Sequence, residues 1–280
     1  GYGLSTPTNE QYRCENLADK GIGYGMESHI VEGNNILEVY SQVDFICNSM
    51  RKNPRPVLLE FRTFRMRGHE EASGTKYVPQ QLLDAWEEKD PIVNFENFLL
   101  EEKILSAHLI ETFKNEIYEE IDYDLKKAFA ENEIEVDETK ELKDVYKEFD
   151  YQQINHNSTT KNIRLIDAVS QGLKQSMERH ENLVVMGQDI ADYGGVFKIT
   201  EGFVEAFGKD RVRNTPICES AVVSAAMGLS INGVKSVVEM QFADFVSTGF
   251  NPVVNYLAKV HYRWGEHADV VIRMPCGAGM

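Results

Sequence analysis

The sequence has few cysteines and no closely spaced cysteine pair. Its 280 residues include four cysteines, Cys14, Cys47, Cys218 and Cys276, and none of them belongs to a C-x-x-C motif. Such wide spacing argues against a disulfide framework and against a structural zinc site. We therefore expect the protein to work in a reducing cytoplasm.

The sequence also lacks a long hydrophobic run and an excess of basic residues. No apolar run approaches the roughly 18 residues that a membrane-spanning helix needs, and no signal peptide is recognisable. The formal net charge is −16, so the basic surface typical of nucleic-acid-binding proteins is missing. We therefore expect neither a membrane nor a nucleic acid as a partner.

The negative charge is concentrated in one fifth of the chain. Residues 101–150 contain 17 Asp and Glu against 7 Lys and Arg, which gives this segment −10 of the total −16. From Glu101 to Glu131 apolar residues recur every three or four positions, which predicts one long amphipathic helix. An acidic block of this kind is typical of a solvated helical face.

The remaining sequence alternates helical and strand-like patterns. Residues 34–50 have helical spacing, and the run VLLEFRTF that follows has the composition of a buried strand. Later in the chain, LVVMG, SVVEMQF and VVIRM are predicted strands, with predicted helices after Glu219 and over residues 251–262. This order predicts an α/β fold with two α/β units, each a parallel sheet flanked by helices, joined by the acidic helical segment.

The same patterns divide the chain into four segments. Residues 1–100 form the first α/β unit, residues 101–150 the acidic helical tail, residues 151–160 a polar linker, and residues 161–280 the second α/β unit. The chain begins in a loop at Gly1 and ends in the glycine-rich CGAGM. We therefore expect it to be an internal part of a longer protein.

Taken one at a time, the polar motifs favour ordinary structural roles. Glu219 precedes an alanine-rich stretch and has the position of an N-terminal helix carboxylate, which the helix dipole stabilises. His69 lies in a glycine-containing loop, where an exposed histidine is common. The GYGLSTP run at the start is compatible with any tight loop, and Leu4 within it with plain core packing.

The order of the motifs along the chain is more specific. GYGLSTPTNEQYRCENLADKGIGYGMESHIVEGNNI and PVLLEFRTFRMRGHE resemble the α-subunit of branched-chain 2-oxo acid dehydrogenases. After Lys161, VVMGQDIADYGGVFKITEGF, FGKDRVRNTPICESAVVSAAMG and EMQFADFVSTGFNPVVNYLAKVHYRWG resemble the β-subunit. Their presence in one polypeptide is similar to the fused form found in some bacteria. The resemblance implies a thiamine diphosphate-binding fold, with a diphosphate- and Mg²⁺-binding domain before a pyrimidine-binding domain.

The resemblance also implies an activity. It is the oxidative decarboxylation of a branched-chain 2-oxo acid with thiamine diphosphate and Mg²⁺, followed by transfer of the acyl group to a lipoylated dihydrolipoyl acyltransferase core. A pyruvate or acetoin dehydrogenase component is the nearest alternative. A second alternative is a non-catalytic fragment or scaffold that docks the acyltransferase. A homodimer of the fused chain is implied, in a bacterial cytoplasm, and we expect these 280 residues alone to be inactive.

Two catalytic residues follow from the resemblance. Glu219 is implied to hydrogen-bond ring nitrogen 1′ of the cofactor pyrimidine and so to activate the cofactor, an interaction that is strong in a water-poor pocket. His69 is implied to lie near the substrate and to assist acyl transfer, which suits an imidazole near neutral pH.

Five further positions are implied to contact the cofactor or its metal. The backbone carbonyl of Tyr2 is the implied Mg²⁺ ligand. The implied cofactor-binding residues are Tyr2, Leu4, Arg65, Gln241 and Phe245, and Arg65 is also implied to order its loop. The remaining metal and diphosphate ligands and a second catalytic histidine are expected outside the 280 residues.

Two positions depart from the pattern of the family. Glu70 stands where mammalian relatives carry a phosphorylatable serine, so control by a kinase is not expected there. Gln188 replaces the acid of a GED motif that is implied to carry protons between paired active sites. We expect this communication, rather than the core reaction, to be affected.

Overall fold

The computed structural model describes residues 1–151, 153, 155 and 159–277. The chain divides into two compact units, residues 1–133 and 134–280. Both contain parallel β-sheet with helices connecting the strands, which confirms the predicted α/β class. No helix within the described ranges has the length and apolar character needed to cross a membrane.

The first unit is built on a two-stranded parallel sheet. Strands β3 (Glu27–Glu32) and β4 (Val57–Arg62) pair along their whole length, from Glu27 opposite Val57 to Glu32 opposite Arg62. Helix α3 (Ile36–Lys52) makes the crossover between them. The elements of this unit are β1 (Tyr2–Gly3), β2 (Thr6–Pro7), α1 (Thr8–Gln11), α2 (Asp19–Gly23), β3 (Glu27–Glu32), α3 (Ile36–Lys52), β4 (Val57–Arg62), α4 (Gln80–Glu87), α5 (Pro91–Glu101) and α6 (Ala107–Ala130).

The single helix predicted from Glu101 to Glu131 is wrong at its start. Glu101 is the last residue of α5, and α6 begins only at Ala107. Between the two helices Lys103 has a left-handed backbone (φ 56°), and the Ser106 side chain accepts a hydrogen bond from the Leu109 amide. A left-handed residue and a side-chain N-cap end one helix and begin the next.

Helix α6 keeps much of its apolar side in contact with solvent. Phe113, Ile117 and Ile121 are 45%, 56% and 49% exposed. The acidic residues around them are exposed as well, which agrees with the predicted solvated helical face.

The second unit is built on a four-stranded sheet with strand order β6-β5-β7-β8, in which every pair is parallel. A short 3-10 helix, Ala243–Ser247, and a π-helical turn, Val253–Leu257, also lie in this unit. Its other elements are α7 (Glu138–Asp144), α8 (Leu165–Arg179), β5 (Leu183–Gly187), α9 (Phe203–Phe207), β6 (Val212–Asn214), α10 (Glu219–Ile231), β7 (Lys235–Glu239), α11 (Phe250–Pro252), α12 (Val260–Trp264) and β8 (Val270–Arg273).

The core of the second unit lies on both faces of this sheet. Leu183 and Val185 of β5 belong to one buried cluster, with Met177 of α8 and Phe203 of α9. Met186, whose side chain points to the opposite face, belongs to a second cluster, which also contains Val222, Val223, Ala226, Val238 and Met240. Because successive side chains of a strand alternate between faces, a sheet covered on both sides needs a continuous apolar run such as LVVMG.

Several predicted boundaries differ from the observed ones. The helix predicted over residues 251–262 is interrupted: α11 passes into the π-helical turn, and α12 begins at Val260. SVVEMQF forms a strand only as far as Glu239, VLLEFRTF as far as Arg62 and VVIRM as far as Arg273. The predicted linker at 151–160 and the terminal turn at 276–280 lie partly outside the described residues.

Candidate functional site

Glu219 is the first residue of α10 and lies beyond the carboxyl ends of the strands. The segment that leads to it is attached to β5, because the Thr215 amide donates to the Gly187 carbonyl at 2.9 Å. Glu219 is half-buried. It lines a cavity of about 410 Å³ together with Cys218, Ser220, Ala221, Ser224 and Thr248. A carboxylate at this place is both stabilised by the helix dipole and accessible from the cavity.

Gln188 contacts Glu219 directly. It follows the last residue of β5, and its side chain is buried, with 9% of the residue exposed. Its Nε2 donates a hydrogen bond to Glu219 Oε1 at 3.3 Å. The predicted activating carboxylate thus has one oxygen engaged by a neutral amide.

Gly249 brings the loop after β7 onto Glu219. A side-chain carbon added at Gly249 would lie 3.4 Å from Glu219 Cβ and 2.9 Å from the Met240 methyl carbon. The glycine therefore permits close contact between this loop and the first turn of α10. Sequence reasoning missed this role, for which the only signal was a glycine shortly after the QFADF motif.

Gln241 and Phe245 lie in the same loop after β7. Gln241 Nε2 donates to Asp189 Oδ2 at 3.4 Å, so the loop is attached to the residue that follows Gln188. Phe245 packs edge-on against Phe242, with ring centroids 5.8 Å apart. Near Glu219, the second unit therefore gathers residues from the ends of β5 and β7.

An ion pair lies at the carboxyl ends of β7 and β8. Glu239, the last residue of β7, is buried, and Arg273 Nη1 lies 2.7 Å from its Oε2. Burial raises the pKa of Glu239, and the charge of Arg273 opposes that shift.

In the first unit the structure brings together Tyr2, Leu4 and Arg65. Arg65 Nη2 donates to the Leu4 carbonyl at 2.9 Å and to the Tyr77 hydroxyl at 3.3 Å. The Tyr77 ring packs edge-on against Tyr2, with centroids 5.6 Å apart. Leu4 has a left-handed backbone (φ 58°) and an exposed side chain. Tyr77, which connects Arg65 to Tyr2, was not predicted from the sequence.

The carbonyl of Tyr2 points away from its hairpin partner. Tyr2 lies opposite Pro7, and in the neighbouring pair the Thr8 amide donates to the Gly1 carbonyl at 3.1 Å. Because hydrogen-bonded and non-hydrogen-bonded pairs alternate in an antiparallel ladder, Tyr2 and Pro7 form a non-hydrogen-bonded pair. The hairpin therefore does not use the oxygen that was predicted to bind Mg²⁺.

His69 lies in the loop between β4 and α4 and contacts Ser73. The Ser73 hydroxyl is 3.1 Å from His69 Nδ1 and donates to Glu70 Oε1 at 3.2 Å. The imidazole is partly exposed, with 36% of its side chain accessible. Its role in acyl transfer stays a prediction.

The two units differ in how well they suit thiamine diphosphate and Mg²⁺. The second unit fits a pyrimidine, since Glu219 offers a carboxylate oxygen at the rim of a cavity. Mg²⁺ requires near-octahedral oxygen coordination, and among the described residues no group of three or more His, Cys, Asp or Glu could hold a metal. The Tyr2 carbonyl, predicted from the sequence to bind Mg²⁺, would supply one oxygen ligand of such a site.

Two family models match the chain. Residues 1–137 match the dehydrogenase E1 component, and residues 161–280 match the transketolase pyrimidine-binding domain. The first part of the chain is thus similar to a dehydrogenase E1 component, and the second part to a transketolase pyrimidine-binding domain. The second match gives the four-stranded unit its fold family, and Glu219, Gln188 and Gln241 all lie within it.

Curated relatives of the chain include β-subunits of two kinds of dehydrogenase. The chain is 40% identical over 117 residues to a 2-oxoisovalerate dehydrogenase subunit beta of Bacillus subtilis, which is 41% of this chain and 36% of the relative. It is also 40% identical over 120 residues to a pyruvate dehydrogenase E1 component subunit beta of Acholeplasma laidlawii, which is 42% and 37% of the two chains. These alignments span just over a third of each relative.

Proposed function

We propose that this chain belongs to the decarboxylating E1 component of a thiamine diphosphate-dependent 2-oxo acid dehydrogenase. The observation that carries the proposal is the position of Glu219. It begins α10 at the edge of a cavity, within the pyrimidine-binding domain, with one carboxylate oxygen bonded to Gln188. No other acidic side chain among the described residues lines that cavity.

Each of the candidate residues has a separate role in the proposed reaction. When bound, thiamine diphosphate supplies the electron-accepting ring that decarboxylation of a 2-oxo acid requires. The Glu219 carboxylate accepts a hydrogen bond from a ring nitrogen of the pyrimidine, a charge-assisted bond in a partly desolvated site. In the first unit the Tyr2 carbonyl would contribute one Mg²⁺ ligand and Leu4 would border the cofactor. In the second unit Gln241 and Phe245 would border it. His69 exchanges a proton during acyl transfer.

The substrate we propose is a branched-chain 2-oxo acid. The proposal relies on the likeness of GYGLSTPTNEQYR and EMQFADF to the branched-chain type. The relatives do not separate the two substrates, since 2-oxoisovalerate and pyruvate enzymes match at the same 40% identity. Pyruvate or acetoin is therefore the alternative substrate.

The partners we propose are those expected of an E1 component. They are a lipoylated dihydrolipoyl acyltransferase core and a second copy of the chain, in a reducing cytoplasm. A scaffold that only docks the acyltransferase is the alternative from another class.

The decisive experiment compares Glu219→Gln with Glu205→Gln in the complete protein. Carbon dioxide release from 3-methyl-2-oxobutanoate and from pyruvate is measured with thiamine diphosphate and Mg²⁺. We expect Glu219→Gln to lower kcat by about 100-fold or more, whereas the exposed Glu205 on α9 is a matched control that leaves kcat unchanged.

Two results would contradict the proposal. Full activity of Glu219→Gln would show that Glu219 does not activate the cofactor. Turnover of pyruvate alone would show that the substrate is not a branched-chain 2-oxo acid. Calorimetric titration of the complete protein with thiamine diphosphate and Mg²⁺ tests the scaffold, because a scaffold without a cofactor site gives no binding heat.

A further inference from the structure

We propose that Gln188 is a positioning residue for Glu219: its buried amide holds one carboxylate oxygen in place without being able to take part in proton transfer. The inference rests on the proposed function of Glu219. Gln188 stands where the family pattern implies an acid, and we assign this glutamine the role of positioning Glu219.

The backbone of Gln188 is fixed by the sheet. It follows Gly187 in β5, the strand that pairs with β6 on one side and β7 on the other. Gly187 lies so close to β7 that an added side-chain carbon would be 2.7 Å from the Glu239 carbonyl oxygen. The Gln188 side chain therefore starts from a strand end that has little freedom to move.

The side chain is buried and has Glu219 as its polar partner. Gln188 is only 9% exposed, so its amide has exchanged water for protein partners. Nε2 donates to Glu219 Oε1 at 3.3 Å, and no described residue donates to Oε2. One carboxylate oxygen is thus engaged by the protein, and the other is left for a donor on a ligand.

An amide and a carboxyl group at position 188 differ in chemistry. The glutamine amide donates hydrogen bonds but does not titrate in water. A glutamate there would place two carboxyl groups within hydrogen-bond distance, and such a pair shares a proton and titrates as a unit. With glutamine, the donor to Glu219 is present at every pH at which the protein is folded.

The test uses Gln188→Met, Gln188→Glu and Gln175→Met in the complete protein. Met matches the length of Gln without a donor, Glu has nearly the same shape, and Gln175 on α8 is an exposed control. The first readout is the Kd for thiamine diphosphate with Mg²⁺, measured by calorimetry between pH 5.5 and 8. The second is the separation of kcat from KM, and urea midpoints verify folding.

We expect Gln188→Met to weaken cofactor binding and to lower kcat, together about tenfold, as for the loss of a hydrogen bond to a charged group, with KM for the 2-oxo acid unchanged. Gln188→Glu should bind the cofactor nearly as well as the wild type at pH 5.5, where a protonated acid can donate, and progressively worse towards pH 8. Asp189, Cys218, Glu239 and Arg273, the titratable groups around this strand edge besides Glu219, are the same in all variants. They provide a constant background.

The outcomes separate this inference from the proposed function. If Glu219→Gln is inactive while Gln188→Met has the affinity, kcat and pH profile of the wild type, Gln188 does not position Glu219. If Glu219→Gln is itself active, the proposed function fails first. If Gln188→Met fails to fold, the pH dependence of Gln188→Glu decides, and a flat profile overturns the inference.

Discussion

Glu239 and Arg273 form a buried ion pair between the carboxyl ends of adjacent parallel strands. The two residues are partners in the register of β7 and β8, and their side chains are only 5% and 18% exposed. Burial penalises the charged carboxylate and raises the pKa of Glu239, against the attraction of Arg273. Removing the cation would leave this penalty uncompensated.

We therefore predict that Arg273→Met destabilises the protein in a pH-dependent way. The folded-state pKa of Glu239 is raised, so its contribution to stability is present below the unfolded pKa and is lost as pH rises through the folded value. Without Arg273 that pKa rises further. We expect a loss of about 3–5 kcal/mol at pH 8 and a smaller loss at pH 5, measured by urea unfolding.

The matched control is Lys209→Met. Lys209 pairs with Asp192 at 3.0 Å, but both side chains are well exposed, and such pairs contribute little. Equal losses for Arg273→Met at both pH values would show that packing, not charge, is what the arginine supplies.

A second prediction concerns Gly187→Ala. The new methyl group would lie 2.7 Å from the Glu239 carbonyl oxygen and 3.0 Å from its Cβ, so β5 and β7 would have to separate. We expect the free energy of unfolding, determined from the unfolding midpoint, to fall by about 1–3 kcal/mol. Gly172→Ala in α8, where no atom lies within 4 Å, should instead stabilise the helix by about 0.5–1 kcal/mol. A change in the free energy of unfolding that has the same sign in both variants would contradict this prediction.

A third prediction concerns Arg65→Met. Arg65 holds the Leu4 carbonyl next to a hairpin with strands of only two residues, which has little stability of its own. We expect the Thr8 amide, bonded to the Gly1 carbonyl, to exchange its hydrogen roughly fivefold faster, the equivalent of about 1 kcal/mol. Arg67→Met is the control, because its side chain is 89% exposed and should leave the exchange rate unchanged.

A fourth prediction concerns the phenol of Tyr262. Its hydroxyl donates to Glu141 Oε2 at 2.7 Å, and this hydrogen bond raises the pKa of Tyr262. We expect Glu141→Gln to lower that pKa towards the ordinary tyrosine value, whereas Glu138→Gln, on the same helix, should not. Absorbance titration of phenolate, with Tyr262→Phe to identify the signal, measures the change; no difference between the two variants would disprove the contact.

Three of the four strands of the second unit were predicted from the sequence, and β6, Val212–Asn214, was missed. LVVMG is a strand from Leu183 to Gly187, as predicted, because both faces of β5 are covered and every side chain of the run is apolar. Strand β3, Glu27–Glu32, was missed. Its sequence ESHIVE mixes polar and apolar residues, and a strand in a two-stranded sheet needs little apolar patterning.

The helix boundaries depended on features that periodicity does not report. The break before α6 comes from Lys103 in a left-handed conformation and from the Ser106 cap, while the apolar spacing continues across it. Likewise, the π-helical turn after Pro252 interrupts a run with continuous helical spacing.

At the candidate site, the sequence indicated individual residues but not their contacts. The order of motifs identified Glu219, Gln188 and Arg65, but Gly249 and Tyr77 were not recognised. Their roles depend on close approach in space, 3.4 Å to Glu219 Cβ for a side-chain carbon at Gly249 and 3.3 Å to Arg65 for Tyr77, between segments distant in sequence.

The two glutamines of the second unit start from the ends of hydrogen-bonded neighbours, Gln188 after β5 and Gln241 shortly after β7. Adjacent parallel strands are about 4.8 Å apart, and the backbone hydrogen bonds between them set this distance. Side chains at the strand ends can be exchanged one at a time while the distance between their attachment points stays constant. A different side chain at position 188 would therefore start from the same place beside Glu219.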